Sequence, residues 1–307
     1  MPKPPNPQSF APDDAITDPL LWRTATNAPG VRDQLAQHLG EIARYSGGLI
    51  LEAVACGFNT YCKPDGSNYT DADIAAERFI LEALTAHFPN IPIIAEEQSA
   101  AQTEAGAASH LTPPGDTFFL VDPLDGTRGF TVGGLEYTVN IAAIVDNAPV
   151  AGAIYAPASG MLWIGGARAY VTTITSFAST PPLSAWRQIK TRPAPQEGLT
   201  ALASQRHGDG RTGKFMTRLP IRERFSASSS VKFCMLAQGD ADIYPRFGPT
   251  MEWDTAAGDA ILRAAGGIVV DEKGHPLIYG RAQSGYVNGP FIAWGDATKS
   301  REFFDAC

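Results

Sequence analysis

The sequence predicts an α/β protein in two lobes, and three observations carry the prediction. Short apolar runs that end in carboxylates, "IPIIAEE" and "TFFLVDPLD", read as buried strands delivering acids to one sheet edge. Amphipathic segments of helical period flank these runs. The length, 307 residues, exceeds the ~100–200 usual for one domain. With 44% hydrophobic and 18% charged residues, the chain can bury a sizeable core and lacks the composition of a disordered one.

The bulk numbers also exclude function classes. A net charge of −8 argues against nucleic acid as a partner, because that role needs a basic footprint to displace phosphate counterions. An acidic chain that handles a small anion needs local metals or cations instead. No apolar run approaches the ~18–20 residues of a membrane span. The N-terminal "MPKPPNPQSFAPDD" lacks the apolar centre of a secretory signal, so the expected compartment is the cytoplasm. Cys56, Cys62, Cys234 and Cys307 have neither zinc-site spacing nor scaffold density, and reduced thiols are expected, with a Cys56–Cys62 bridge unsupported.

Taken in order, residues 1–30 open proline-rich and are expected to be extended or mobile, without chemistry. From Val31 to about Ala55, Leu35, Leu39, Ile42, Ile50 and Val54 recur at helical spacing, with Gly47-Gly48 a weak point inside a scaffold helix. A polar stretch, "KPDGSNYT", leads into an amphipathic helix carrying Ile74, Phe79, Ile80 and Leu84 and ended by Phe88-Pro89-Asn90. After the two acid-tipped strands, "YTVNIAAIVDNAPVAGAIYAPASGMLWIGG" reads as a three-strand meander with an Asp-Asn turn. The Thr/Ser/Pro-rich sequence between Ala167 and Pro195 is the expected join. It divides an N-terminal α+β lobe, 31–178, from a C-terminal α/β lobe, 179–307. Beyond it, "GLTALASQRHG" predicts a strand and polar loop, "SSSVKFCMLAQGDADIYPRFG" a helix then a strand, and "EWDTAAGDAILRAAGGIVV" a helix, its glycine stop and a strand.

The carboxylates carry the chemistry. In "VDPLDGTRGF", a strand end delivers Asp122, Pro123 fixes the turn, and Gly126 relieves the backbone where the chain must curl. A helix beginning near Thr127 would aim free N–H groups at the same place, a combination able to bind phosphate and hold Mg²⁺. One aspartate would suffice to cap a turn. The second aspartate, the Glu96-Glu97 strand end and the Thr127 hydroxyl favour a metal site. Asp254 sits where an N-cap belongs, and Thr70 to Asp73 resembles a capping box, so both acids could cap and still face a metal. Adjacent strand residues point to opposite faces, so spacing cannot choose between Glu96 and Glu97, of which Glu96 is favoured. Asp13-Asp14 and Asp240 to Asp242 read as solvated loop charges. Lys232 follows Ser229 by three positions, on one helix face able to meet an anion, and the Arg246 fork suits a second phosphate or stacking on a base. Taken singly, Lys232 and Arg246 could be surface charges and His207 a polar loop residue.

"AEE", "DPLDGTRGF" and "EWDTAAGDAILRAAGG" resemble, in order and spacing, the motifs of the inositol monophosphatase superfamily, lithium-sensitive, magnesium-dependent phosphomonoesterases. Within it, "KPDGSNYTDAD", "SQRH", "SSSVKFC" and "YPRFGPTMEWDTAAG" look like the bacterial 3'(2'),5'-bisphosphate nucleotidases, which act in sulfur assimilation; the resemblance runs from about Val31 to Phe291. It implies a layered α/β/α/β/α sandwich of the sugar-phosphatase type with the site between the lobes. It also implies a small phosphate ester as partner. Peripheral membrane association occurs in some relatives but has no sequence signal here, and nothing specifies an oligomer.

Carried onto this chain, the pattern assigns one magnesium to Glu96, Asp122 and the Leu124 carbonyl, another to Asp122, Asp125 and Asp254, and a weaker third near Asp73 and Glu96. Thr127 and Asp73 would orient and deprotonate the attacking water, with Gly126 and Thr127 N–H groups on the phosphate. His207, Ser229, Lys232, Arg246 and Asp254 would contact substrate. The chain departs from relatives at Ser67-Asn68-Tyr69-Thr70, at Ala95-Glu96-Glu97-Gln98 and at Arg128-Gly129, which replaces Lys-Glu. The carboxylates are kept, so the expectation is removal of the 3'-phosphate of adenosine 3',5'-bisphosphate, and of its sulfated form, to leave AMP. The alternatives are an inositol monophosphatase or fructose-1,6-bisphosphatase of the same fold, and a non-catalytic nucleotide- or metal-binding protein.

Overall fold

A computed structural model describes residues 22–24, 26–104, 115–175, 180–204 and 210–306. Its elements run α1 (Pro29–Cys56), β1 (Thr60–Cys62), β2 (Asn68–Thr70), α2 (Asp71–His87), β3 (Ile93–Ala95), α3 (Glu96–Glu104), β4 (Thr117–Asp125) and a short α4 (Thr127–Phe130). The meander follows as β5 (Thr138–Val145), β6 (Ala148–Ala156), β7 (Met161–Gly165), β8 (Ala169–Thr173) and β9 (Arg187–Ile189). The remainder comprises β10 (Leu199–Ser204), α5 (Gly210–Met216), β11 (Ile221–Ala227), α6 (Val231–Ala237), β12 (Ile243–Arg246), β13 (Thr250–Met251) and α7 (Glu252–Ala265). It closes with β14 (Ile268–Asp271), β15 (Val287–Asn288), β16 (Phe291–Trp294) and α8 (Ala297–Asp305).

Two sheets set the architecture. The first has seven strands in the order β3-β4-β5-β6-β7-β8-β9, and the second five in the order β11-β10-β12-β16-β14. One core lies between α1, α2 and the seven-stranded sheet, where Leu39, Ile42, Ile80 and Leu84 meet Ile141 and Ala153. A second core fills the other face of that sheet, where Ile144 and Ile154 meet Phe233 of α6 and Ala257 and Ile261 of α7. A third packs Phe215 of α5 and Phe303 of α8 against Ile243 and Ile292 of the five-stranded sheet. The layers are therefore helix, sheet, helix, sheet, helix, the sandwich that the family resemblance implies.

Glycines let the layers approach. Added to Gly47 of α1, a Cβ would lie 2.4 Å from the Tyr155 ring, so the weak point in the helix is where it lies down on β6. On the opposite face, a Cβ on Gly165 would come within 2.4 Å of Ile261 and one on Gly152 within 2.7 Å of the Ala257 carbonyl. These contacts fix α7, and the acid at its start, tightly over the sheet.

Several sequence expectations need correction. Ile74 is 45% exposed and does not belong to the apolar face of α2. The polar stretch before α2 contains a two-stranded hairpin, β1 with β2, which the turn-rich composition hid. The expected join from Ala167 to Pro195 carries β8 and β9 of the large sheet, so the chain leaves that sheet only after Ile189. Asp242 is no solvated loop charge. It is 3% exposed and held by Arg192 Nε at 2.8 Å and Thr200 N–H at 2.7 Å. Among the described residues Cys56, Cys62 and Cys234 are free thiols, and Cys307 lies outside them. No described helix is long and apolar enough to cross a membrane.

Candidate active site

Strand β4 brings the first acids. It does not end at Asp122; it continues to Asp125 through a register shift against β5, in which Asp122 faces Asn140 and Asp125 faces Thr138. Pro123, which has no N–H to donate, falls inside this irregularity, and the bulge re-aims both aspartates. Asp122 Oδ1 accepts the Leu124 N–H at 3.0 Å. Gly126 then turns at φ 98°, where a Cβ would lie 2.9 Å from the Glu136 carbonyl, and α4 starts at Thr127. Only glycine meets both demands.

Helix α2 brings Asp73 by the capping box read from the sequence. The Thr70 N–H and Oγ1 donate to Asp73 Oδ2 at 2.8 and 2.5 Å. The other oxygen, Oδ1, receives Thr127 Oγ1 at 3.1 Å, and that hydroxyl also lies 2.8 Å from the Leu124 carbonyl. Thr127 thus bridges the capping acid and the bulge.

Glu96 and Glu97 open helix α3 rather than close a strand, so strand alternation does not govern them. Buried Lys63 reaches both, Nζ lying 2.9 Å from Glu96 and 2.8 Å from Glu97. Glu77 fixes the turn by accepting the Glu97 and Gln98 N–H groups at 2.8 Å each. Lys63 and Glu77 were not singled out by sequence reasoning, although Lys63 stands inside the quoted "KPDGSNYTDAD".

Helix α7 supplies Asp254, at the third position rather than as N-cap. Met251 occupies the cap, and its N–H donates to Asp254 Oδ2 at 2.8 Å. Ser230, just before α6, joins the two halves. Its Oγ lies 3.0 Å from Asp125 Oδ2 and 2.8 Å from the Asp254 carbonyl, and accepts Asn140 Nδ2 at 2.9 Å.

A cavity of about 480 Å³ adjoins these acids, with Asp125, Gly126 and Asp254 lining it beside Ser229, Lys232 and Arg246. Ser229 is not on the α6 face with Lys232. It precedes the helix at φ 51°, and Lys232 Nζ donates to its carbonyl at 2.5 Å. Arg246 donates to the Gly248 and Pro249 carbonyls at 3.4 and 3.2 Å. His207 lies outside the described residues.

The electrostatics are those of an unneutralised cluster. Burial lifts Asp122 well above the carboxylate range, and Glu96, Asp125, Asp254 and Asp73 push it further. Asp254 is lifted likewise by burial and by Asp125. Asp125 is raised by burial against the opposing charge of Lys232. Burial takes Asp73 to about 6. Lys232 is lowered to about 8 by burial, with Asp125 resisting. Among the described residues none of the four aspartates has a Lys, Arg or His nitrogen within ion-pair distance.

This donor set fits magnesium. It is all hard oxygen, its mutual repulsion needs a cation, and the buried Thr138 Oγ1, Asn140 Oδ1 and Ser229 Oγ lack protein partners. Among the described residues no three acids already converge as a closed metal-holding group.

Comparison with known proteins agrees in fold. The profile described as inositol monophosphatase family matches residues 32–300. The 3'(2'),5'-bisphosphate nucleotidase CysQ of Escherichia coli O157:H7 is 35% identical over 256 residues, covering 80% of this chain and 93% of the relative. The crystal structure of CysQ from Bacteroides thetaiotaomicron superimposes with TM-score 0.70 at 32% identity, covering 85% of this chain and 97% of that one. An inositol monophosphatase from Thermotoga maritima shares the fold at TM-score 0.66 and 21% identity, covering 89% of this chain and 97% of that one.

Proposed function

The chain belongs to the inositol monophosphatase family and is a phosphatase; from that premise we propose that it hydrolyses the 3'-phosphate of adenosine 3',5'-bisphosphate, and of its sulfated form, in sulfur assimilation. One observation carries the substrate reading: a single cavity has Asp125 and Asp254 on the acid side and Lys232 and Arg246 among its other lining residues. A substrate with two separated phosphates matches that polarity. An inositol monophosphate has no second phosphate to meet Lys232 and Arg246.

In this reading Glu96, Asp122, the Leu124 carbonyl, Asp125 and Asp254 hold magnesium. Bound there, magnesium neutralises the acids, polarises the phosphoryl group and makes water more acidic. The remaining work falls to the chain. The Thr127 hydroxyl, with Asp73 as acceptor, orients a water; a proton passes from that water to Thr127 Oγ1 as the hydroxyl proton passes to Asp73 Oδ1. Asp73 Oδ1 is the acceptor that Thr127 Oγ1 already contacts, at 3.1 Å. The Gly126 and Thr127 N–H groups face the phosphate, while Lys232 and Arg246 fix the rest of the substrate.

The test is turnover of adenosine 3',5'-bisphosphate beside inositol monophosphate and fructose 1,6-bisphosphate, for wild type and Lys232→Met. The expected result is preference for the nucleotide, with its KM raised at least about 10-fold by Lys232→Met, as for loss of a charge-assisted hydrogen bond. Equal losses on all three substrates, or wild-type preference for inositol monophosphate, would overturn the substrate. Wild-type inactivity on every ester would favour a binding protein.

A further inference from the structure

Ser230 stands between the two acids that different parts of the chain contribute. It is 2% exposed and belongs to the loop between β11 and α6. Asn140 of β5 donates into its oxygen at 2.9 Å, which occupies one lone pair. Its single proton then has two acceptors, Asp125 Oδ2 at 3.0 Å and the Asp254 main-chain carbonyl at 2.8 Å. A hydroxyl has one proton to give, so these two bonds compete.

The competition has a consequence for a bound cation. Of the two, the Asp125 carboxylate is the stronger acceptor by charge and the carbonyl the nearer by distance. A divalent ion held by Asp125 would weaken that oxygen as an acceptor and favour the carbonyl, toward which the hydroxyl would turn without leaving either residue. The carbonyl belongs to Asp254, the second acid facing the cavity. The hydroxyl therefore remains satisfied in both states, and its turn joins Asp125 to the first turn of α7. Such outer partners of ligating groups set metal affinity even though they never touch the metal.

We propose that Ser230 is a positioning residue whose hydroxyl, oriented by Asn140 and shared between Asp125 and the Asp254 carbonyl, sets how tightly these two acids hold a divalent cation. The inference rests on the magnesium reading above. It does not depend on which phosphate ester is the substrate.

The experiment is a Mg²⁺ titration of the whole chain, read by thermal unfolding midpoint and separately by the Mg²⁺ dependence of phosphate release. Ser230→Ala is expected to raise the Mg²⁺ concentration for half-maximal effect by about 10-fold in both readouts, the size usual for losing an outer partner of a metal ligand. Saturating Mg²⁺ should restore most of kcat. Asn140→Ala should act in the same direction, and the double variant should add little to Ser230→Ala, because both act through one bond. If Ser230→Ala does not fold, Ser230→Cys keeps the volume, replaces the hydroxyl by a weak donor and carries the same expectation. An unchanged Mg²⁺ midpoint in the folded variant, with only the metal-free unfolding temperature lowered, would overturn the proposal and leave Ser230 a packing residue. A wild-type protein whose unfolding ignores Mg²⁺ would instead overturn the magnesium reading itself.

Discussion

Two sets of buried acids in this molecule are handled in opposite ways. Asp33 is 6% exposed and takes the Arg168 fork at 3.0 and 2.8 Å together with the Ala167 and Arg168 N–H groups. Asp242 takes the Arg192 fork at 2.8 and 2.9 Å and the Thr200 N–H. Asp122, at 1% exposed, has the Leu124 N–H and four neighbouring acids. The fold can supply a guanidinium to a buried carboxylate, and does so at Asp33, Asp242 and Asp259. At the site it places acid beside acid, which is destabilising unless a cation arrives. Buried acids set beside one another, and not beside a guanidinium, mark the candidate site more clearly than the acids themselves.

The sharpest way to break the comparison is Asp125→Asn. Removing one of the acids proposed to hold Mg²⁺ should cut Mg²⁺-dependent phosphate release by roughly 10³-fold or more, the scale of several kcal/mol of lost charge stabilisation. In EDTA the same variant should unfold at an equal or higher temperature than wild type, because a repelling charge has gone. If it unfolds lower in EDTA, the acids are not in conflict and the contrast drawn here fails.

Arg192→Ala tests the other set. It strands Asp242 as a buried charge without its guanidinium and should cost about 3 kcal/mol in denaturant unfolding. Turnover per folded molecule should not change. A loss of activity without a loss of stability would mean that the structural acids and the site acids are not separate populations.

The smallest expected effect concerns buried bases far from the site. His38 Nε2 lies 2.9 Å from His87 Nδ1 between α1 and α2, and burial, with His87 adding, lowers His38 from 6.5 to about 4. A folded pKa below the unfolded one means that the unfolded chain binds the extra proton. The neutral ring's contribution is therefore complete above pH 6.5 and is lost as the pH falls toward 4. Between pH 7.5 and pH 5 this should remove about 2 kcal/mol of unfolding free energy, and His38→Gln should flatten that limb. An unchanged limb in the variant would assign the acid loss to other groups.

Much of the site was legible because its signals are local. The pair in "VDPLDGTRGF", the capping box at Thr70 to Asp73 and the acid opening α7 each follow from residues a few positions apart, where backbone geometry is short-ranged. Other features were read wrongly or missed because long-range contacts decide them. Asp242 reads as a loop charge until Arg192 is folded against it. Lys63 has no local signal; what distinguishes it is the pair of glutamates at the start of α3, 33 and 34 positions away. Ser230 is one serine in a run of three, and its partners are 90 and 105 positions away.

The sequence by itself determined the strand, turn and helix around Asp122 and Asp125, the helix that carries Asp254, and the family. Apolar periodicity, caps and breakers act within a few residues and need no folded context. Only the tertiary structure decided which acids share one electric field, which are quietly paired, and which hydroxyl stands between them. Those outcomes depend on distances between segments far apart in the chain, and on burial, which makes an unpaired charge costly only after the layers have closed around it.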